Sequence, residues 1–215
     1  MFDFCVSAPR NFTATTQDGW ALDVAEYERP DQPKGAVLLT HAMMVNRDTF
    51  HRGGRGLAPF LAVHGWWVFT ANFRGRGPSG PTPREGGAWT YDDLVYFDLP
   101  ALVGAVREKA GCLPLTLMGH SLGGHTGLAA AGLGLFSQPP DAIVALSANM
   151  WQPSHEPQFI RRIAKSLSLF ALMSAARVFG AFPARRLGMG PCDEATPYIE
   201  DLRRTWTADH WGSRD

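Results

Sequence analysis

Apolar and polar positions along the chain alternate between two patterns, which together predict strands separated by helices. Short continuous apolar runs are typical of strands covered on both faces. Four such runs occur, over residues 35–40, 66–72, 115–118 and 141–147. Two further segments, 12–16 and 20–27, alternate around Gln17-Asp18-Gly19 and predict an antiparallel hairpin, because Asp-Gly favours a tight turn.

Helical periodicity occupies two segments between these runs. We expect one helix over 56–64 and a long amphipathic helix over 92–110, with a kink at Pro100 because proline cannot donate a backbone hydrogen bond. The apolar positions that should be buried in the long helix are Leu94, Leu99, Leu102, Val103 and Val106. Strands alternating with helices after an initial hairpin predict an α/β fold with a mostly parallel, doubly wound sheet.

The alternation of strands and helices ends after Asn149, and the rest of the chain predicts a helical cap. A helix is expected over 158–178 and a shorter one over 194–206. We therefore divide the chain into a core of residues 1–149 and a cap or lid of residues 150–215. The first cap helix combines apolar residues with arginines and a lysine. We favour a helix packed by one face with its charges solvated over a helix that contacts a membrane surface.

Composition narrows the class of protein. The 215 residues are 45% hydrophobic and 19% charged, as in a globular domain with a sizeable core, and the zero net charge gives no reason to expect nucleic acid. Cys5, Cys112 and Cys192 are too widely spaced for a disulfide framework or metal site, so we expect reduced thiols in a cytoplasmic protein. The sequence shows no signal peptide, no stretch of about 18 apolar residues, and no signature of a cofactor.

Candidate chemistry centres on residues 119–124, Gly-His-Ser-Leu-Gly-Gly, which fit the G-x-S-x-G nucleophile elbow. The motif follows an apolar strand and opens into a helix-compatible segment, which is the context it requires. Glycines at 119 and 123 would leave room for a sharp turn that projects the Ser121 hydroxyl above the sheet. The alternative interpretation of the motif is a glycine-rich strand-to-helix turn in which the serine has no catalytic role.

Two other loops follow predicted strands at the same edge of the sheet. In a hydrolase of this architecture, the loop after strand three and the residue after the nucleophile supply the oxyanion-hole amides, which we assign to Met43 and Leu122. The loop over 72–80 is rich in Gly and Arg, and its position at the end of a strand favours an active-site rim over a flexible surface loop. A phosphate cradle is disfavoured because the lysine of a P-loop is missing.

The ordered set of motifs resembles the α/β-hydrolase superfamily, in particular its monoacylglycerol-lipase-like branch. His-x-Met, Arg-Gly-x-Gly-x-Ser and Gly-His-Ser-x-Gly-Gly follow strands three, four and five in that order, and the resemblance covers about residues 12–149. It implies a serine hydrolase of carboxylic esters, lipid-like esters included, that forms an acyl-enzyme on Ser121. The tryptophans and methionines near the proposed site favour a small-molecule ester with an apolar acyl group; the alternative is that Met43 and Met44 are simply packed beneath the cap.

The chain departs from that pattern after the elbow. The family order is Ser, then an acid after strand seven, then His after strand eight, whereas six strands are predicted here. We interpret His125, His155 and His210 as surface or packing residues. No strand end marks a catalytic acid among the downstream carboxylates, Asp193, Glu194, Glu200, Asp201 and Asp209.

The sequence is therefore interpreted as the N-terminal part of a hydrolase, which leaves an exposed edge on strand 141–147. The alternatives are an inactive binding or interaction module of the same fold, and an acyltransferase or thioesterase.

Overall fold

A six-stranded sheet forms the centre of the computed structural model, which describes residues 6–148 and 151–210. The strands are β1 (Arg10–Thr15), β2 (Ala21–Glu26), β3 (Ala36–Thr40), β4 (Trp67–Ala71), β5 (Leu115–His120) and β6 (Ala142–Leu146). Their order in the sheet is β1-β2-β4-β3-β5-β6. The hairpin β1–β2 and the β2–β4 pair are antiparallel, and the β4–β3, β3–β5 and β5–β6 pairs are parallel. All six predicted strands and the mostly parallel α/β sheet are confirmed.

Helices cover the sheet between the strands and continue beyond β6. They are α1 (Leu57–Val63), α2 (Tyr91–Asp93), α3 (Leu99–Ala110), α4 (Leu122–Gly132), α5 (Phe159–Phe179) and α6 (Thr196–Ala208). A π-helical turn, Leu94–Asp98, joins α2 to α3, and Pro100 lies in the first turn of α3. Since Pro100 has no N–H, the change of hydrogen-bond register before it lets the helix continue. The predicted buried positions of this helix are all buried.

Strand β6 forms an open edge of the sheet. It pairs with β5 on one side, and within residues 6–148 and 151–210 no strand pairs with its other side. Every residue of β6 is at least partly exposed, whereas β3 and β4 are buried along their whole length. The exposed edge expected for strand 141–147 is thus observed.

The cap segment contributes α5, α6 and a short antiparallel pair, β7 (Ala181–Phe182) and β8 (Glu194–Ala195). The prediction that Glu194 and Ala195 begin a helix is wrong. They are extended, and α6 begins at Thr196 with a proline in its first turn. Two-residue strands carry no periodicity, so the sequence pattern could not reveal β7 and β8.

The two faces of α5 differ in their surroundings. Leu169, Leu172, Met173 and Ala176 are buried in the same apolar core as the sheet, as expected for a helix packed by one face. The opposite face is also apolar and is exposed, with Ile160 at 80%, Leu167 at 64% and Phe170 at 70%. Within the described part of the chain, no helix is long and apolar enough to cross a bilayer.

Cys112 and Cys192 are free thiols, and Cys5 lies outside the described residues.

Candidate active site

Ser121 occupies a sharp turn between β5 and α4. Its backbone lies at φ 48° and ψ −109°, a conformation that costs a non-glycine residue about 1–3 kcal/mol. Glycines on both sides make the turn sterically allowed. A Cβ on Gly119 would lie 2.2 Å from the Gly123 carbonyl carbon, and one on Gly123 would lie 2.5 Å from the Thr40 oxygen. The strand–turn–helix geometry predicted for residues 119–124 is therefore present.

The three predicted site residues meet around one small cavity. Met43, Ser121 and Leu122 line a space of about 30 Å³, which has room for roughly one or two water molecules. His125, Trp151, Tyr198 and Leu202 complete its wall. Trp151 and α6 come from the segment after β6, so this segment forms part of the cavity wall above the elbow. The lining is mostly apolar and aromatic.

Two backbone amides at this cavity have no hydrogen-bond acceptor among the described residues. They belong to Met43 and Leu122. The next amide in the loop, that of Met44, is occupied because it donates to Glu194 Oε1 at 2.5 Å. An unpaired backbone N–H in a nearly closed site is costly unless a ligand or water accepts its bond. The pair is chemically suited to bind an oxyanion formed at Ser121.

The Ser121 hydroxyl makes no hydrogen bond to any residue in 6–148 or 151–210, whereas its backbone N–H donates to Leu146 O at 2.8 Å. His125, one helical turn after Ser121, lines the same cavity. Its ring stacks on Tyr91, and its Nδ1 lies 3.2 Å from the Tyr91 hydroxyl. Burial lowers the pKa of His125 to about 4. His125 is therefore a packing residue, as expected from the sequence. It also lines the Ser121 cavity, which the sequence did not predict.

The other downstream histidines are exposed and do not line this cavity. They are His155, in a 3-10 turn, and His210, after α6. The predicted acidic candidates hold parts of the cap in place. Asp193 pairs with Arg84, Glu194 with Arg76, Glu200 with Arg177, and Asp201 and Asp209 accept the amides of Tyr91 and Ser154.

The loop over 72–80 does not rim this site, so that prediction is wrong. Arg74 and Arg76 are fully buried, and neither lines the Ser121 cavity. Arg74 forms ion pairs with Asp98 at 2.7 Å and Asp18 at 2.8 Å. The sequence could not reveal this arrangement because the acidic partners come from distant segments. The guanidinium groups are neutralised inside the protein, so they form no phosphate cradle.

Sequence reasoning also missed the roles of two buried groups behind the site. His41 accepts the Phe73 amide at Nε2 and donates from Nδ1 to Ala42 O at 2.8 Å. Burial, with Arg76 nearby, lowers its pKa to about 3, so it is neutral and structural. Glu194 is completely buried; burial raises its pKa, and Arg76 opposes that shift by favouring the charged carboxylate. The His-x-Met motif marked His41 only as part of the loop after strand three, and Glu194 has no local motif, so the sequence revealed neither role.

Comparison with known proteins adds family information to this geometry. The family described as serine aminopeptidase, S33, matches residues 31–185. Lipase member K from Mus musculus is 30% identical over 122 residues, which are 50% of this chain and 31% of that lipase. Lipase member N from Homo sapiens is 27% identical over 154 residues, covering 64% of this chain and 37% of that protein. The chain thus spans about a third of the length of these relatives.

Solved structures with low sequence identity share the fold. Monoglyceride lipase from Saccharomyces cerevisiae superposes with a TM-score of 0.61 at 20% identity, over 94% of this chain and 69% of that one. The α/β hydrolase GrgF from Penicillium sp. sh18 gives a TM-score of 0.60 at 18% identity, over 93% and 74% of the two chains. Both place the six-stranded sheet and its helices in a common architecture.

Proposed function

The chain belongs to the serine aminopeptidase S33 family of α/β-hydrolases, and we propose that it forms part of a hydrolase that cleaves carboxylic esters through an acyl-enzyme on Ser121. The observation that carries the proposal is the meeting of the strained Ser121 with the open amides of Met43 and Leu122 at one cavity. The lipases among its relatives support an ester as the substrate.

In the proposed reaction, the Ser121 oxygen attacks the ester carbonyl carbon while a base takes the hydroxyl proton. The carbonyl oxygen becomes an oxyanion and accepts hydrogen bonds from the Met43 and Leu122 amides. Each such donor contributes about 3 kcal/mol to stabilising the transition state. The alcohol leaves with a proton, and water then releases the acyl group from Ser121.

The base for this reaction is proposed to come from outside the described residues. Support comes from the Ser121 hydroxyl, which has no hydrogen-bond partner in the described chain, and from the open edge of β6. A further parallel strand paired with β6 would end at the same edge of the sheet as β5, one strand away from the turn that carries Ser121. The monoglyceride lipase fold, of which this chain covers 69%, leaves room for such an addition.

An apolar acyl group is proposed because the cavity wall is apolar, with Leu122, Trp151 and Leu202 around Ser121. Ligand sites usually enclose about 300–1,000 Å³, so a space of 30 Å³ is too small for an ester of ordinary size. Substrate entry therefore requires Trp151 or α6 to move aside.

The unpartnered Ser121 hydroxyl also favours a second candidate, an inactive member of the fold that binds a ligand or partner. Hydrolysis of p-nitrophenyl butyrate by the product of the complete gene separates the two. We expect turnover in the wild type, at least about 1,000-fold less in Ser121→Ala, and no change in the exposed control Ser168→Ala. Absent turnover would support the inactive module. Turnover that is equal in wild type and Ser121→Ala would show that Ser121 is not the nucleophile.

A further inference from the structure

The loop that carries the Met43 amide is held by a residue far away in the sequence. Met44 has a positive φ of 63°, which is unfavourable for a side chain of this kind and persists only when its surroundings impose it. Its amide donates to Glu194 Oε1 at 2.5 Å, across 150 residues of chain. Its carbonyl accepts the Cys192 amide at 3.1 Å. Both peptide groups that flank Met44 are thus fixed by the cap.

Close packing leaves the loop little freedom to choose another position. A Cβ on Gly190 would lie 2.2 Å from the Met44 carbonyl oxygen. Only glycine therefore fits at position 190, where the chain packs against the loop after β3. The hydrogen bond from Met44 goes to a carboxylate, and charge-assisted bonds of this kind are about twice as strong as neutral ones. The contact between cap and loop is therefore both tight and strong.

The Glu194 carboxylate is itself held in place. Its second oxygen accepts a 2.5 Å hydrogen bond from Arg76 Nη2, and both side chains are completely buried. Arg76 Nη1 donates to the Arg74 carbonyl at 2.8 Å, and its guanidinium lies over the Trp89 ring at 4.9 Å. Removing either charge would leave the other one buried without compensation, which is strongly unfavourable. Arg76 and Glu194 therefore act as one unit.

We propose that Glu194, held by Arg76, is a positioning residue: by fixing the Met43–Met44 peptide it orients the preceding Ala42–Met43 peptide, so that the Met43 amide faces the carbonyl oxygen of a substrate at Ser121. This inference rests on the proposed function. Met43 adjoins Met44, and a peptide rotated by a few tens of degrees would turn its N–H away from the oxyanion. Because Glu194 belongs to the cap, a displaced cap would also release the amide, so that cap closure and transition-state binding are linked.

The test compares Glu194→Gln with Glu194→Asp and with the control Glu200→Gln. Gln keeps the side-chain shape but loses the charge. Asp keeps the charge and shortens the reach to Met44, so one of the two remains informative if the other fails to fold. Glu200, on α6, forms a long 3.5 Å pair with Arg177 and is partly exposed.

Kinetics on p-nitrophenyl butyrate, with the product of the complete gene, supply the first readout. We expect kcat to fall about 10- to 100-fold in the folded Glu194 variants while KM changes less than about threefold, because the weakened hydrogen bond to the oxyanion is made only in the transition state. Affinity for a trifluoromethyl ketone, which forms an oxyanion on the enzyme, should fall in parallel. Folded Glu194 variants with the kcat of the wild type would overturn the proposal.

Amide hydrogen exchange supplies a readout that does not depend on activity. The Met44 amide should exchange at least about tenfold faster in the Glu194 variants than in the wild type or Glu200→Gln. If the wild type has no esterase activity but the exchange result holds, the proposed function fails while the restraint on the loop stands. Unchanged exchange at Met44 would overturn the restraint itself.

Discussion

The Gly123 amide donates a 3.1 Å hydrogen bond to the His41 carbonyl, and this bond joins the two loops that carry the open amides of the site. Leu122 directly precedes Gly123, and Met43 lies two residues after His41. This bond, together with the parallel pairing of β3 with β5 that ends at Thr40 and Gly119, therefore fixes the separation of the two donors.

Substitution of the elbow glycines should destabilise the protein strongly. We expect Gly119→Ala or Gly123→Ala to lower the free energy of unfolding by more than about 2 kcal/mol, because the new Cβ would meet fixed backbone. Gly104→Ala, inside α3 with open space around it, is the control and should raise that free energy by about 0.5–1 kcal/mol. Urea denaturation measures all three. Equal effects at the three positions would contradict the steric account.

Strain at Ser121 should be detectable as stability. Glycine adopts positive φ without cost, so Ser121→Gly should be more stable than Ser121→Ala by about 1 kcal/mol. Both variants lack the hydroxyl, so the difference between their free energies of unfolding reports the cost of the backbone conformation at residue 121. Denaturant unfolding curves for the two variants provide the comparison, and an alanine variant at least as stable as the glycine variant would show that the turn is unstrained.

Stability should fall as the pH drops below about 6.5, in part because of His41. Burial holds the pKa of His41 near 3 in the folded protein, whereas the unfolded chain binds a proton near pH 6.5. The contribution of His41 to the free energy of unfolding is fully present above pH 6.5. It is lost progressively down to about pH 3, at about 1.4 kcal/mol per pH unit.

Unfolding free energies measured between pH 6 and 4.5 test this contribution. His41→Gln should reduce the slope by about one proton, whereas the exposed control His155→Gln should retain it. A wild-type slope in His41→Gln would show that His41 titrates normally.

The two faces of α5 should respond differently to truncation. Leu172 is buried in the core and Leu167 is 64% exposed on the opposite face. We expect Leu172→Ala to cost about 2–4 kcal/mol of stability and Leu167→Ala less than about 0.5 kcal/mol. Chemical denaturation of the pair measures the difference. A comparable loss from both would indicate that the exposed face is covered in solution.

Strands and the elbow could be predicted because their signals are local. The run over 35–40 is apolar at nearly every position since β3 is buried on both faces, and Gly119 and Gly123 bracket Ser121 within five residues. The kink expected at Pro100 is a π-helical turn, since proline's missing donor can be accommodated by a change of register as well as by a break.

Interactions between distant segments could not be predicted. The Arg-rich loop over 72–80 suggested an exposed rim, but Arg76 is neutralised by Glu194, 118 residues later. Glu194 was one of several acidic candidates without a strand-end context, and nothing near it indicated that its carboxylate binds Met44. Such pairs depend on how the cap folds onto the sheet, which no periodicity encodes.

Covalent labelling of Ser121 by a fluorophosphonate tests the central claim most directly. With the product of the complete gene, we expect mass spectrometry of the digested protein to place the phosphonate on Ser121 and to find none in Ser121→Ala. The 215-residue chain should label at least about 100-fold more slowly, because the described residues supply no base to the hydroxyl. A complete protein that stays unlabelled at Ser121 while hydrolysing esters would contradict the assignment of Ser121 as the nucleophile.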